Sequence, residues 1–528
     1  MRRTFTFIFI LFVGLLPVVA SAQAQVARSS ALGAVAGHYE GVIKTGALGD
    51  VPVKLDLRVT DEKLSGVLQT PFGDVNVVSG SLLQGRLTIQ MEVNGDEATF
   101  TGQLSGERLT GDFKGFGQAG TVELKRTGDA PPAPDTRVHL SLPKAAWRED
   151  LQFLAREIPK RHKDAFHRVT REQFERAVAE LDAQIPALDD DRIALGLARI
   201  VAMIGDGHTT LNWHWSYRAV PLNLFWFGPE LRVTSTIAPY RRALGARVVR
   251  VGGVSLGEAF NRVQPFIAQG ENEWFVKSHS AGILTYPALL YAIGLAPDAR
   301  QASYTFEDAR GRRFTLSLKA GEPRTGQGAR DYQWLDAARE PPLYRQRMSE
   351  PLWYTYLPQS QTVYFNFKGY PSREAFKKFA LDLFTFIDRH PVRRLVVDMR
   401  QNGGGDFTRG REYIIPGIKE RADINRRGHL FVVTGRWTYS AGMTNATDFR
   451  KETNAILVGE PTGGRPNGYQ ENREFRLPNS HLSVWVSTRF YEFQKTDTPG
   501  VMPDQRIDPD WNSYLRGRDP VLEWIEKQ

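Results

Sequence analysis

The sequence predicts a multidomain protein that joins an all-β N-terminal domain to a mixed α/β C-terminal region. Three patterns support this prediction. Apolar and polar residues alternate from His38 to Lys125, a proline-rich stretch follows, and strand-like runs alternate with helical runs beyond residue 350. At 528 residues the chain is long enough for about three domains, so each pattern can belong to a domain with its own core.

The N-terminus has the pattern of a secretion signal. Two arginines at positions 2 and 3 precede an apolar run over residues 5–19, and the sequence ASA at 20–22 has the small-x-small form of a cleavage site. We therefore expect residues 1–22 to be a signal peptide and the protein to be exported, either periplasmic or secreted. No later stretch reaches the roughly 18 apolar residues of a membrane-spanning helix, so no stable membrane span is expected.

The amino-acid composition excludes several kinds of site and partner. The chain has no cysteine, which excludes disulfides, thiolate metal sites and cysteine nucleophiles. Its formal net charge of +9 is scattered, so we expect no nucleic-acid partner. There is no HExxH motif and no pair of histidines at helical spacing, so we expect no metal and no cofactor. The sequence leaves the oligomeric state open.

Residues 31–126 are predicted to form the antiparallel β domain. Short alternating runs with turns every 8–12 residues are typical of a meander that closes as a small sandwich or barrel. Residues 127–139 form a proline-rich linker. A helical segment follows over 140–217, where Thr170 begins a capping box and apolar residues recur at helical spacing.

The third region, residues 230–320, contains a strand, a glycine turn, a second strand and a helix, and a strand near residue 315 closes it. A segment at 271–298 interrupts this pattern, and it is either a lid over a cleft or a structural insertion. From 350 to 528 strands and helices alternate, which predicts βαβ units and a largely parallel sheet.

Two loops in this last region each follow an apolar strand. One is NGGGDF at 402–407, and the other ends at Ser440. In an open α/β sheet such loops meet in one crevice where ligands bind. Glycines expose backbone N–H groups, and a helix N-terminus at Ser440 favours a developing negative charge. The alternative is that Ser440 is only an N-cap and the glycines only a tight turn.

A serine hydroxyl needs a base to become a nucleophile. His208 is the candidate, because it stands in the glycine-flanked sequence IGDGHTTL directly after an amphipathic helix. A single histidine can equally be structural. Four other histidines are expected to face solvent: His162, His167, His390 and His429.

The motifs GDGHT, LVVDMRQNGGG, YSAGM, ILVGEPTGG and GVMPD follow one another in the chain. In this order they resemble the tail-specific serine peptidases, which include the C-terminal processing peptidases and the tricorn-like proteases. The resemblance covers roughly residues 145–528. It implies a ClpP/crotonase-type α/β catalytic domain, a PDZ-like module at 230–320 that carries the insertion, and hydrolysis of peptide bonds in polypeptide or peptide substrates by serine acyl transfer.

The resemblance also implies site residues. Ser440 matches the nucleophile, and the backbone N–H groups of Ala441 and of Gly403 or Gly404 match the oxyanion hole. The processing branch has a basic lysine 25 residues after the serine, where this chain has Arg465. Arginine has a pKa above about 12 and cannot act as a general base, so a serine–lysine pair is not expected.

In the tricorn-like branch a histidine is the base and a downstream carboxylate orients it. His208 matches the histidine, and Asp497 in TDTPGVMPD matches the carboxylate, with Glu492 in reserve. The sequence therefore predicts an exported serine peptidase with a Ser440 acyl-enzyme. The alternative is a catalytically inactive peptide-binding protein of the same fold, which Arg465 would favour.

Overall fold

The computed structural model describes residues 33–46, 49–60, 63–71, 73–93, 96–131, 137–321, 332–335 and 340–528. The predicted signal peptide, residues 1–22, lies outside these ranges. The chain divides into two compact units, one up to Pro134 and one from Asp135 onward. Within these ranges no helix has both the length and the apolar character needed to cross a membrane.

The first unit is a closed antiparallel barrel whose eight strands follow one another in chain order, with the last strand pairing with the first. Alternate residues point inward, such as Leu87, Ile89 and Met91, because side chains alternate along a strand. An eight-stranded barrel is just wide enough to be filled by side chains. The predicted antiparallel β domain is confirmed, and it closes as a barrel. Its strands are β1 Gly37–Thr45, β2 Gly49–Thr60, β3 Lys63–Thr70, β4 Gly73–Leu83, β5 Arg86–Val93, β6 Asp96–Ser105, β7 Arg108–Gly115 and β8 Gln118–Gly128.

Three helices open the second unit. They are α1 Lys144–Arg161, α2 Arg171–Gln184 and α3 Asp190–Ala202. The capping box expected at Thr170 is present, since the Thr170 hydroxyl accepts from the Gln173 N–H and the Gln173 side chain accepts from the Thr170 N–H. The apolar faces of these helices share one core with the sheet that follows. Beyond α3 the chain passes through His208 into the two-residue strand β9, Thr210–Leu211.

A seven-stranded antiparallel sheet comes next in the chain. It extends past both ends of the predicted 230–320 region, because β10 and β16 both pair with β11. The strands are β10 Leu222–Phe227, β11 Glu230–Ile237, β12 Arg247–Val251, β13 Val254–Ser255, β14 Gln301–Glu307, β15 Arg313–Lys319 and β16 Tyr332–Trp334. The helices between them are α4 Leu256–Val263, α5 Glu273–Ile283 and α6 Pro287–Ala292, with 3-10 turns at Ala238–Ala243 and Gln264–Phe266. Another 3-10 turn, Trp213–Ser216, precedes β10.

The C-terminal part contains the predicted α/β sheet. Its six strands lie in the order β17-β18-β19-β20-β21-β24, with β17 antiparallel at one edge and the others parallel. The strands are β17 Leu352–Leu357, β18 Thr362–Phe367, β19 Arg394–Asp398, β20 Leu430–Thr434, β21 Ile456–Gly459 and β24 Gln505–Arg506. The helices are α7 Arg373–Arg389, α8 Ile415–Lys419, α9 Ala441–Glu452, α10 Trp511–Leu515 and α11 Pro520–Glu526, with a 3-10 turn at Leu343–Arg345 and a π-helical turn at Gly410–Ile414.

A third, small sheet links the helical segment to the α/β part. Strands β22 Asn467–Arg476 and β23 Ser483–Glu492 form a long hairpin, and β23 also pairs with β9 through Leu211 and Thr210. Since β9 begins two residues after His208, this pairing fixes the His208 loop beside the α/β sheet.

Candidate active site

Ser440 lies in a tight turn between β20 and α9. Its backbone has φ 49° and ψ −126°, and the Gly442 N–H donates to the Tyr439 carbonyl at 2.9 Å across the turn. A non-glycine residue in such a region costs about 1–3 kcal/mol, so the surrounding structure must hold it there. Although Ser440 occupies the N-cap position, its side chain makes no capping hydrogen bond. The hydroxyl is therefore available for other contacts.

The Ser440 hydroxyl meets His208. The distance from Ser440 Oγ to His208 Nε2 is 2.9 Å, although 232 residues separate the two. The other ring nitrogen, Nδ1, lies 3.0 Å from the Tyr439 hydroxyl, and the two rings stack with centroids 4.8 Å apart. The backbone of His208 is held at both ends, by Asp206 Oδ1 at its N–H and by the Asn472 amide at its carbonyl.

The surroundings of His208 favour its neutral form. Burial lowers the pKa of His208, and the nearby negative charge of Asp206 offsets part of that effect. When Ser440 donates to Nε2, the ring hydrogen is on Nδ1 and is donated to the Tyr439 oxygen. The arrangement can therefore accept a proton at Nε2 while Nδ1 remains held.

Asp206 ties this loop to the hairpin. Its carboxylate accepts from His162 Nε2 at 2.9 Å and from the Ser487 hydroxyl on β23. Burial alone would raise the pKa of Asp206, but these hydrogen bonds hold it below its usual value. The prediction that His162 faces solvent is wrong: its side chain is fully buried, because Asp206 and the Asp164 N–H satisfy both ring nitrogens.

The two glycines of the predicted oxyanion hole differ. The Gly404 N–H donates to Asn402 Oδ1 at 3.1 Å, so this alternative of the two is already engaged in a hydrogen bond. Gly404 matters instead for its shape, since a Cβ there would lie 2.7 Å from Ser440 Cβ. Within the part of the chain that the structure describes, the N–H groups of Gly403 and Ala441 have no acceptor. Ala441 is the first residue of α9, where unpaired N–H groups and the helix dipole favour an anion.

The predicted carboxylate partners of His208 lie elsewhere. Asp497 forms an ion pair with Arg465 at 3.2 Å and its side chain is 65% exposed. Glu492 is exposed at the end of β23. The orienting contact predicted for Asp497 is therefore not formed, because the guanidinium of Arg465 holds this carboxylate while Tyr439 occupies His208 Nδ1.

A carboxyl group that the sequence did not reveal, Glu271, lies next to the histidine. Glu271 Oε1 accepts from the Gly207 N–H at 2.9 Å, whereas Oε2 is buried without a hydrogen-bond partner of good geometry. Burial raises the pKa of Glu271 to about 7, while the Gly207 N–H and the Tyr439 hydroxyl act in the opposite direction. No motif marks this residue. It is the first residue of the segment 271–298, which lies outside all the motifs of the predicted site.

That segment, residues 271–298, places Glu271 in the site and packs beside it. The buried amide of Asn272 donates to the carbonyls of Thr462 and Gly463 in the loop after β21. The ring of Phe275 packs against Tyr439 with centroids 5.2 Å apart. These contacts fasten the segment to the α/β part beside Ser440, as a structural insertion would require.

A cleft of about 440 Å³ opens beside the serine and the histidine. Charged groups of both signs line it, including the guanidinium groups of Arg168 and Arg465. Its main lining residues are Arg168, Asp206, His208, Glu271, Tyr439, Ser440, Met443, Arg465, Tyr469, Gln470, Phe490, Glu492 and Asp497.

Comparisons with known proteins find a family match for part of the chain. Residues 363–507 match the family model of peptidase family S41. Among solved structures, mature CPAF complexed with lactacystin is similar in fold, with a TM-score of 0.50 and 10% identity over 73% of this chain and 97% of that chain. The photosystem II D1 C-terminal processing protease matches with a TM-score of 0.35 and 16% identity over 71% of this chain and 98% of that chain. The tricorn protease matches with a TM-score of 0.34 and 13% identity over 90% of this chain and 45% of that chain.

A search of curated protein sequences found no match. The match to the family model lies across the α/β sheet and includes the Ser440 turn, the Arg465 loop and the β22–β23 hairpin. The α/β part of the chain, over residues 363–507, thus matches peptidase family S41, the family of the tail-specific peptidases, and the protein is a serine-type peptidase.

Proposed function

We propose that the protein is an exported serine peptidase that hydrolyses polypeptides through an acyl-enzyme on Ser440, with His208 as the general base. One observation carries the proposal, the 2.9 Å contact between Ser440 Oγ and His208 Nε2. A nucleophile and a base within hydrogen-bond reach are the geometric requirement of serine acyl transfer.

The reaction proceeds in two halves. Ser440 Oγ attacks the carbonyl carbon of the scissile peptide bond while its proton passes to His208 Nε2. The C–N bond then breaks, and His208 gives this proton to the leaving amine. A water molecule next attacks the ester carbonyl, its proton passes through His208 to Ser440 Oγ, and the carboxylate product leaves.

The negative oxygen of each tetrahedral intermediate is stabilised by backbone N–H groups. Ala441 and Gly403 supply them in this proposal, and the N-terminus of α9 adds its dipole. Removing one such donor typically costs about 10²–10³-fold in kcat. Gly404 permits the loop after β19 to approach Ser440 closely.

The finer fold assignments belong to the same proposal. The order of strand, glycine turn, strand and helix over residues 247–263 supports a PDZ-like module for the sheet of the third region. The parallel strands with α9 after Ser440 support a ClpP/crotonase-type core. Export rests on the signal-peptide pattern of residues 1–22 and is tested by N-terminal sequencing of the mature protein from cell fractions.

A fluorophosphonate probe tests the activation of the serine, because only an activated hydroxyl reacts with it. We expect wild-type protein to be labelled at Ser440 and to cleave an unfolded polypeptide. Ser440→Ala and His208→Ala should each abolish most turnover, and the double variant should be no worse than either single one. His390→Ala is the matched control, since His390 stacks on Phe386 outside the cleft. A folded wild-type protein that is neither labelled nor active would favour the inactive peptide-binding alternative.

Activity should also depend on pH in one direction. Only neutral imidazole accepts the Ser440 proton, so kcat/KM should rise with pH through its acid limb. Burial lowers the pKa of His208, which keeps the imidazole neutral to lower pH than in water. A rate that falls as pH rises from 5 to 7 would contradict a histidine base.

A further inference from the structure

We propose that Glu271, acting through the Tyr439 hydroxyl, is the acidic group that orients His208 and balances the charge it acquires during catalysis. This inference rests on the proposed roles of Ser440 and His208. It gives the orienting role to a residue of the insertion 271–298 rather than to Asp497 downstream of the hairpin.

Tyr439 makes the contact at His208 Nδ1. The Tyr439 hydroxyl is 3.0 Å away, and the stacking of the two rings fixes the plane of the imidazole. Burial and nearby acids hold the pKa of Tyr439 well above its usual value, so the phenol keeps its proton. Its oxygen can accept from His208 Nδ1–H only while its own hydrogen points to another acceptor.

Glu271 is the acceptor available for that hydrogen. Its Oε1 accepts from the Gly207 N–H, and its buried Oε2 has no hydrogen-bond partner among the residues that the structure describes. The electrostatic interaction of Glu271 with Tyr439 acts on the pKa of both groups. An unsatisfied buried carboxyl oxygen is costly in a purely structural role, which is why this position suggests a functional one.

Gly207 is the third part of the arrangement. A Cβ on Gly207 would lie 2.4 Å from the Tyr439 hydroxyl oxygen and 2.6 Å from the Phe275 ring. The absence of a side chain lets the hydroxyl sit against the backbone between His208 and Glu271. The glycine of the GDGHT motif therefore shapes the site of the tyrosine hydroxyl.

Two charges around Glu271 tune its ionisation. Asp206 opposes the charged form and Arg465 favours it, while burial raises the pKa of Glu271 to about 7. Arg465 also forms the ion pair with Asp497 and donates to the Gly270 carbonyl. The arginine that replaces the lysine of the processing branch thus acts as a fixed positive charge beside Glu271.

The chain of hydrogen bonds works as follows. Ionised Glu271 accepts from the Tyr439 O–H, the Tyr439 oxygen accepts from His208 Nδ1–H, and Nε2 is left free to take the Ser440 proton. The imidazolium then formed is separated from the negative charge of Glu271 by the Tyr439 hydroxyl, and Asp206 supplies a second negative charge nearby. No proton leaves Tyr439 in this sequence, so Glu271 and Tyr439 are positioning residues.

The pH profile of kcat/KM tests the proposal in full-length protein. The wild-type acid limb should reflect the higher of the two pKa values, that of Glu271 near 7. Glu271→Gln keeps an oxygen for the Gly207 N–H but removes the charge, so its limb should move below 6.5, where only His208 titrates. Its plateau should fall by about 10²-fold, the size of effect expected when a catalytic group is misplaced by about 1 Å. Glu271→Asp keeps the charge, so it should partly restore both the position of the acid limb and the height of the plateau.

Tyr439→Phe keeps the stacked ring and removes the hydroxyl. It should lower the plateau to a similar extent, and the double variant with Glu271→Gln should be no worse than either single variant. Glu273→Gln is the matched control, because Glu273 is exposed on α5 and interacts with Lys277. Its profile should equal that of the wild type.

The outcomes separate this inference from the proposed function. If Ser440→Ala and His208→Ala are inactive while Glu271→Gln keeps the wild-type limb and plateau, the inference is overturned and the serine–histidine assignment stands. If the histidine variant is active, the proposed function itself fails. If Glu271→Gln is less stable than the wild type, the position of the acid limb in its pH profile still tests the inference. Loss of folded protein lowers the plateau of kcat/KM but does not move the limb.

Discussion

The strained backbone at Ser440 yields a prediction about stability that does not depend on catalysis. Ser440→Ala and Ser440→Gly both remove the hydroxyl and the contact with His208, so these losses cancel when the two variants are compared. What differs is the backbone, because glycine adopts a positive φ at no steric cost whereas alanine does not. The comparison therefore measures the strain of the turn.

The magnitude follows from the observed dihedral angles. At φ 49° and ψ −126° a side-chain-bearing residue costs about 1–3 kcal/mol. Glycine gives back about 0.4–1 kcal/mol through the greater freedom of the unfolded chain. We expect Ser440→Gly to be more stable than Ser440→Ala by about 0.5–2 kcal/mol, although both are inactive.

Tryptophan fluorescence during urea unfolding is a suitable assay. All eleven tryptophans lie between Trp147 and Trp524, so the signal reports on the second compact unit alone. The control pair is Lys377→Gly and Lys377→Ala on the exposed face of α7, where the glycine variant should be the less stable by about 1 kcal/mol. The reasoning is refuted if glycine is also the less stable residue at Ser440.

Three further predictions follow from the same geometry. Gly207→Ala should lower kcat/KM by about 10²-fold, because its methyl group displaces the Tyr439 hydroxyl by about 1 Å. Gly282→Ala on α5 is the control and should leave kcat/KM unchanged, because there is open space at its Cβ. Kinetics on a peptide substrate measures both variants, and equal rates would contradict the prediction. Arg465→Ala should shift the acid limb of kcat/KM to higher pH, because Glu271 loses the positive charge that lowers its pKa, and Arg465→Lys should largely retain the wild-type limb; a limb that moves to lower pH in the alanine variant would contradict this sign. A chain that starts at Asp135 should fold and keep activity on a short peptide, which circular dichroism and peptide kinetics measure, and its aggregation would show that the barrel is needed by the second unit.

Local sequence patterns predicted much of the architecture. Alternation with period two predicted the antiparallel β domain, and its eight strands follow the predicted runs because neighbouring strands pair through short turns. The capping box at Thr170 is present because it needs only four consecutive residues. Strands and helices alternate in the α/β part as the sequence predicts. The ends of the antiparallel sheet were harder to predict, because β16 belongs to it only through pairing with a distant strand.

Some features of the site could likewise be predicted from sequence, and others depend on tertiary structure. Ser440 and His208 can be chosen from sequence only through the resemblance of YSAGM and GDGHT to motifs of the tail-specific peptidases, since either residue alone could equally be structural. Their approach to 2.9 Å depends on β9 pairing with β23, a contact between residues more than 270 positions apart. The sequence alone does not encode that distance in any local window.

The acid beside the histidine was decided by tertiary structure alone. Asp497 and Glu271 are both carboxyl groups that line the cleft, and sequence order favoured Asp497. The folded chain holds Asp497 on Arg465 and places Glu271 beside the Tyr439 hydroxyl. Hydrogen bonds and charge effects at these sites change over one or two ångströms. The sequence therefore indicated the serine, the histidine and the need for a carboxylate, and only the folding of distant segments determined which carboxyl group lies near the His208 loop.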